Sequence, residues 1–246
     1  MQACLNGSRR RGEHPHVPLT PEELAVDARA VMEAGAAAIH VHPRDQHLHE
    51  SLDALDIAAV VRAVREACPG LPVGVSTGAW IAPDPAGRLQ LISGWTELPD
   101  FASVNLGEAG ALQVIDALID RNVYVEAGLW SEEDARLFID NGLDAACLRV
   151  LVEVEAEPEP AAAVHLAAAI DAVLDDGLSE APRLHHGAGV ATWRVLEEAL
   201  DNGYDVRIGL EDTLVTASGD AAAGNRELVE RLVALAAAAG RAVERT

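Results

Sequence analysis

Short apolar runs alternate with amphipathic or alanine-rich stretches from one end of the chain to the other. Compact runs rich in Val, Ile and Leu, bounded by turn residues, read as buried strands, and longer stretches with apolar positions three and four apart read as helices. The strands predicted in this way cover residues 2–5, 37–42, 72–76, 100–105, 123–126, 145–152, 183–186 and 205–209. Helices are predicted near 21–34, 53–67, 84–95, 108–120, 131–141, 159–176, 190–201 and 223–239. Thr20-Pro21-Glu22-Glu23 reads as an N-cap followed by proline at the first helical position. Ser131 with Asp134 has the spacing of a capping box, and Gly35, Gly142 and Gly203 stand where helices should stop. The segment 153–160, with four acids and two prolines, reads as a solvated loop, and the tail 241–246 as frayed.

Eight strand–helix units in 246 residues is the arithmetic of a (β/α)₈ barrel, whose usual size is about 250 residues. The expectation is one barrel domain over 1–246. A doubly wound sheet would carry a glycine-rich fingerprint after its first strand, and Leu5-Asn6-Gly7-Ser8-Arg9 is not one.

The barrel places its active site at the carboxyl ends of the strands. Those ends read Asn6; His40 and His42; Ser76, Thr77 and Gly78; and Ser103 and Asn105. They continue with Glu126, Arg149 and Glu153, His185 and His186, and finally Glu211 and Asp212. Titratable groups therefore gather at one end. Residues two apart on a strand share a face, so His40 and His42 point together into the barrel mouth, about 6–7 Å apart at Cα. One metal ion could take both, unless they are simply hydrogen-bonded within a polar barrel top. Glu211 reaches the same mouth from strand eight, which closes against strand one. Two imidazoles, one carboxylate and an open position is a catalytic zinc pattern. The same donors also suit Fe(II), Mn(II) and Co(II). His185 and His186 are rival ligands; His14, His16, His47 and His49 fall in loops and rank lower.

Composition narrows the chemistry. All 18 basic residues are Arg, so a lysine Schiff base, a P-loop and class A β-lactamase chemistry are excluded. Forty acidic residues give a net charge of −22, which argues against nucleic-acid and anionic-membrane partners. Three scattered cysteines without a CxxC, no long apolar segment and no signal-peptide pattern point to a cytoplasmic protein. An alanine-rich outer helix at 159–173 fits an expected homo-oligomer, dimer or tetramer.

Several motifs then converge. They are an N-terminal strand ending in Asn6-Gly7, a Pro-x-Thr-Pro-Glu-Glu helix opening, AGAAAIHVHPRD, VGVSTGAW, DFASVNLGE, VEAGLW and RIGLEDTL, in this order. With them the chain resembles the β-keto acid cleavage enzyme family, whose founding activity is cleavage of 3-keto-5-aminohexanoate. The resemblance implies a zinc-dependent (β/α)₈ barrel that condenses a β-keto acid with acetyl-CoA, giving acetoacetate and another CoA ester. Residue by residue, His40, His42 and Glu211 resemble the zinc ligands, and Asp212 and Arg207 the acid–base group and its partner. Ser76, Thr77 and Gly78 resemble the turn that binds the substrate carboxylate, aided by Ser103 or Asn105, with Asn6 at strand one. Glu126 matches an acidic residue at the end of strand five. Where the family often carries an acid gripping an amino group, this chain has Arg9-Arg10-Arg11, so anionic or neutral keto acids are expected to be preferred. The competing readings are a metal-dependent aldolase or lyase without CoA, an amidohydrolase-type zinc hydrolase, and a barrel that only binds small ligands.

Overall fold

Eight parallel strands close on themselves in sequence order in the computed structural model, which describes residues 1–154 and 159–241. The strands are β1 (Gln2–Cys4), β2 (Ala38–Val41), β3 (Val73–Ser76), β4 (Phe101–Asn105), β5 (Tyr124–Leu129), β6 (Arg149–Val154), β7 (Arg183–Gly187) and β8 (Asp205–Ile208). Each is followed by a helix: α1 (Pro21–Ala34), α2 (Ala54–Ala67), α3 (Pro85–Ser93), α4 (Ala111–Ile119), α5 (Glu132–Asp140), α6 (Pro160–Asp176), α7 (Thr192–Asn202) and α8 (Asn225–Ala238). The expected (β/α)₈ barrel is the observed one.

Strand alternation divides the buried side chains in two. Ile39, Val41, Val73, Val75, Ala102, Val104, Val150, Val152 and Ile208 belong to the apolar cluster between sheet and helices. The alternate positions, among them His40, Ser76, Ser103, Asn105, Glu153, His186 and Arg207, are buried and polar. The barrel interior is thus reserved for chemistry towards its carboxyl end.

The closing seam needs a glycine. β1 and β8 pair through Gln2 with Arg207 and Ala3 with Ile208. Just beyond, a Cβ on Gly209 would lie 1.8 Å from the Cys4 carbonyl oxygen, so no other residue fits. Asn225 at the start of α8 locks this seam. Its amide donates to the Leu5 carbonyl (2.8 Å) and to Asp27 of α1 (2.6 Å), and its oxygen accepts from the Leu210 N–H (2.7 Å). The Thr20 capping box is fully formed: Thr20 accepts from Glu23 N–H and Glu23 accepts from Thr20 N–H. Ser131 caps α5 by accepting from Asp134 N–H, but the Asp134 carboxylate accepts from Trp130 N–H instead of closing the box.

Two strands differ from expectation. Residues 143–145 form a short 3-10 turn after Gly142, and β6 begins only at Arg149, four residues later than the apolar pattern suggests. Leu143 and Cys147 are buried, so the apolar run there belongs to a packed turn rather than a strand. β5 runs on to Leu129, which leaves Glu126 in its middle. Of the acidic segment 153–160, Glu153 lies in β6 and Glu159 caps α6; residues 155–158, like the tail 242–246, fall outside the described residues. All three cysteines are free and buried. No described helix is long and apolar enough to cross a membrane.

Candidate active site

β2 delivers His40 and His42 to the same side, with ring centroids 5.1 Å apart and the planes 76° to one another. Glu211, in the turn after β8, comes over Gly7. A Cβ on Gly7 would lie 2.4 Å from Glu211 Cγ, so this glycine makes room for the carboxylate. One ligand atom from each of His40, His42 and Glu211 falls within 4.8 Å of the others. His40 Nδ1 and Glu211 Oε2 are buried without a hydrogen-bond partner. Orphaned buried atoms of this kind are uncommon and call for an explanation. A divalent cation among the three side chains supplies one, and the donor set suits it.

The surroundings set the two histidines differently. Burial holds the His40 pKa down at about 3, so its ring is neutral at pH 7. Burial also opposes charge on His42, but Glu211 and Glu50 outweigh it and raise that pKa to about 9 when no cation competes. Glu50 is the partner that fixes the ring: His42 Nδ1 donates to Glu50 Oε1 at 2.6 Å, which leaves Nε2 facing Glu211, 3.6 Å away. Burial penalises the Glu211 charge as well, yet Arg207 and the His42 cation hold its carboxyl well below the usual range. It is ionised at neutral pH.

Behind the ligands lies a buried ionic row. Arg207 donates to Glu211 Oε1 (2.8 Å) and to Asp212 Oδ1 (3.0 Å). His186 sits between Asp212 Oδ1 (3.4 Å) and Glu153 Oε2 (3.5 Å). Burial and Arg207 disfavour the His186 cation, but the two carboxylates prevail and push its pKa up to about 9. Asp212 Oδ2 has no partner. In front of the row opens a cavity of about 310 Å³, lined by His40, His42, Ser76, Ser103, Asn105, Glu153, Arg207 and Glu211 and rimmed by Ser8, Arg9, Glu13, Trp80 and Trp130.

A family model described as beta-keto acid cleavage enzyme matches residues 1–145 and 133–246, which together span the whole chain. The chain belongs to this family. It is similar to the 3-keto-5-aminohexanoate cleavage enzyme of Fusobacterium nucleatum subsp. nucleatum, 28% identical over 261 residues that cover 98% of this chain and 92% of the relative. It is also similar to the 3-oxoadipate:acetyl-CoA acetyltransferase of Cupriavidus necator, 33% identical over 109 residues, 44% of this chain and 37% of the relative. Among solved structures, the ternary complex of ObcA with a C4-CoA adduct and oxalate superposes with a TM-score of 0.75 at 18% identity. That match covers 92% of this chain but 65% of the longer ObcA chain, and it speaks for the shared fold. Members of the family are carbon–carbon bond-cleaving enzymes by their description, and this chain is an enzyme of that kind.

The residues expected to bind or react are distributed unequally. His40, His42, Glu211, Arg207, Ser76, Ser103 and Asn105 line the one cavity. Asp212 lies directly behind, bonded to Arg207. Asn6 does not line it: its side chain clamps the His42 backbone, donating to the carbonyl at 2.9 Å and accepting from the N–H at 2.8 Å. Thr77 donates to the Ser103 carbonyl, and Gly78 N–H donates to Ser76 Oγ, so both shape the turn from within. Glu126 is not brought to the mouth. It faces the interior lower down, where its carboxylate accepts from Gln2 and from Arg149, because β5 continues three residues beyond it. Glu153, from β6, is the acid that lines the cavity instead.

Among the rival histidines, His186 points inward but joins the ionic row. His185 faces away, stacked on Tyr204 at 4.4 Å and 3.3 Å from Asp171. His14 donates to the Ala222 carbonyl, and His47 and His49 are exposed. Glu50 carries no periodic signal in the sequence, whereas Trp80 and Trp130 close the VGVSTGAW and VEAGLW motifs. Trp80 ends the GAW turn after β3, and Trp130 directly follows Gly128-Leu129 at the end of β5.

Proposed function

We propose that the protein cleaves a β-keto acid against acetyl-CoA, giving acetoacetate and the CoA ester of the remaining acyl group. The observation that carries the proposal is the meeting of His40, His42 and Glu211 at the cavity, with two of their buried polar atoms unpartnered. His40, His42 and Glu211 would hold a divalent ion, for which zinc is our choice, and that ion would supply Lewis acidity to the oxygens of the keto acid.

The rest falls to the chain's own residues. Ser76 accepts from Gly78 N–H and so keeps its hydroxyl hydrogen for a substrate carboxylate, with Ser103 and Asn105 beside it. Asp212 is the proposed proton holder. Arg207 fixes its Oδ1 and leaves Oδ2 free to take the proton from the carbon between ketone and carboxylate. The resulting carbanion attacks the acetyl thioester carbon and CoA thiolate leaves. The thiolate then adds to the original ketone carbon, the carbon–carbon bond breaks towards acetoacetate, and the proton returns from Asp212. No lysine is available for a covalent alternative. The proposal extends to a single working barrel over 1–246 in the cytoplasm, supported by three free, buried cysteines.

The test is to incubate metal-loaded protein with β-keto acids, with and without acetyl-CoA, and to follow acetoacetate. Formation that requires acetyl-CoA is the expected result. Cleavage without it would make the enzyme a lyase, and no turnover with any keto acid would overturn the proposal.

A further inference from the structure

The charges around the cavity are already matched to one another. Arg9 donates Nε to the Leu210 carbonyl (3.0 Å) and an NH₂ group to the Glu211 carbonyl (3.2 Å), and it pairs with Glu13 at 3.4 Å. Glu13 also accepts from the Arg10 N–H. Arg207 is engaged by Glu211 and Asp212, and Glu153 by Trp130 and His186. A charged substrate tail entering here would give up water for groups that already have partners, which is costly. Arg9 is spent on backbone and Glu13, so it does not supply the anion site that its place in the sequence suggests.

What the cavity still offers is indole surface. Trp80 and Trp130 are 46% and 41% exposed, whereas the other two tryptophans, Trp95 and Trp193, are 1% and 9% exposed. Each ring has its polar edge tied to a carboxylate of the site: Trp80 Nε1 donates to Glu50 and Trp130 Nε1 to Glu153, both at 3.1 Å. The rings are thereby held in place with apolar faces left over. Trp80 also stacks on His42, 6.2 Å between centroids, and occupies the space where a Cβ on Gly78 would stand. The two rings follow β3 and β5, on either side of β4 with its Ser103 and Asn105.

We propose that Trp80 and Trp130 form the side-chain subsite, and that the keto acid taken here carries an uncharged, apolar group, alkyl or aryl, beyond its ketone. The inference rests on the reading of the site as one for keto acids. Rigid aromatic walls bind such groups with little loss of side-chain freedom, and a methylene in an apolar pocket is worth about tenfold or more in specificity.

Two readouts test it. The first is kcat/KM for 3-oxohexanoate, 3-oxoadipate and 5-amino-3-oxohexanoate in the parent, Trp130→Phe, Trp130→Ala and Trp80→Ala proteins. The apolar substrate should lead by about tenfold in the parent and in Trp130→Phe, and the ratio should collapse in the two alanine variants. The second is tryptophan fluorescence on titration with hexanoate, adipate or 6-aminohexanoate, which needs no turnover; hexanoate should saturate at the lowest concentration. Preference for a charged tail in either assay overturns the inference. So does an alanine variant that changes KM for acetyl-CoA equally with every keto acid, because the rings would then serve the thioester. Absence of turnover with all three keto acids would count against the proposed reaction, while the hexanoate titration would still decide the subsite.

Discussion

A histidine that holds a cation through one ring nitrogen depends on the bond its other nitrogen makes. Here that bond is His42 Nδ1 to Glu50, with Trp80 and Arg44 also drawn to the same carboxylate. Replacing Glu50 by Gln keeps an acceptor but removes the charge that orients and enriches the imidazole. Glu50→Gln should therefore weaken metal binding by about 10–100-fold, measured by competition with a chromophoric chelator, while circular dichroism stays unchanged. Unaltered affinity would show that Glu50 serves only the loop. His40, His42 and Glu211 could be found in the sequence because strand alternation and strand ends are periodic signals. Glu50 could not. It reaches His42 through an irregular loop folded back by an isolated bridge between Arg44 and Glu50, and no period marks such a turn.

Between elements, buried polar side chains fix how helices meet the barrel. Asn225 ties α8 to Leu5 just after β1, to the turn after β8 and to Asp27 of α1. Burial raises the Asp27 pKa to about 6, although Asn225 and His16 act in the opposite direction. The folded state therefore keeps a proton there that the unfolded chain releases near pH 4. This contribution to stability is present below about pH 4 and is lost as pH rises through 6. Asp27→Asn keeps an acceptor for Asn225 without the charge. It should stabilise the fold by about 3 kcal/mol at pH 8, with the difference vanishing near pH 4, in denaturant melts at both values. A difference independent of pH would contradict the assignment. A second clip joins loops at the mouth: buried Arg88 of α3 pairs with Glu108, which accepts from Ala79 N–H and Asn105 Nδ2. The sequence carried the order of these elements well, because eight apolar runs at regular spacing leave few topologies. It misplaced β6, where Leu143 and Cys147 bury themselves in a turn and extend the apolar run backwards. It also cut β5 short at Glu126, since a carboxylate in mid-strand looks like an end until Gln2 and Arg149 are seen to satisfy it.

Across the whole molecule, folding and chemistry draw on different residues. The outward faces of the strands pack against the helices in one apolar cluster, and the ligand side chains stand apart from it at the carboxyl end. Removing a ligand should accordingly leave the barrel folded. The central claim is that His40, His42 and Glu211 hold a metal ion while the neighbouring Asp212 handles the proton. Elemental analysis of untagged protein tests this most directly, comparing the parent with His40→Ala, Glu211→Gln and Asp212→Asn and following acetoacetate formation in the same preparations. The account predicts one ion per chain in the parent and in Asp212→Asn, markedly less in the other two, and loss of turnover in all three variants. Full metal content in Glu211→Gln, or its loss in Asp212→Asn alone, would contradict it.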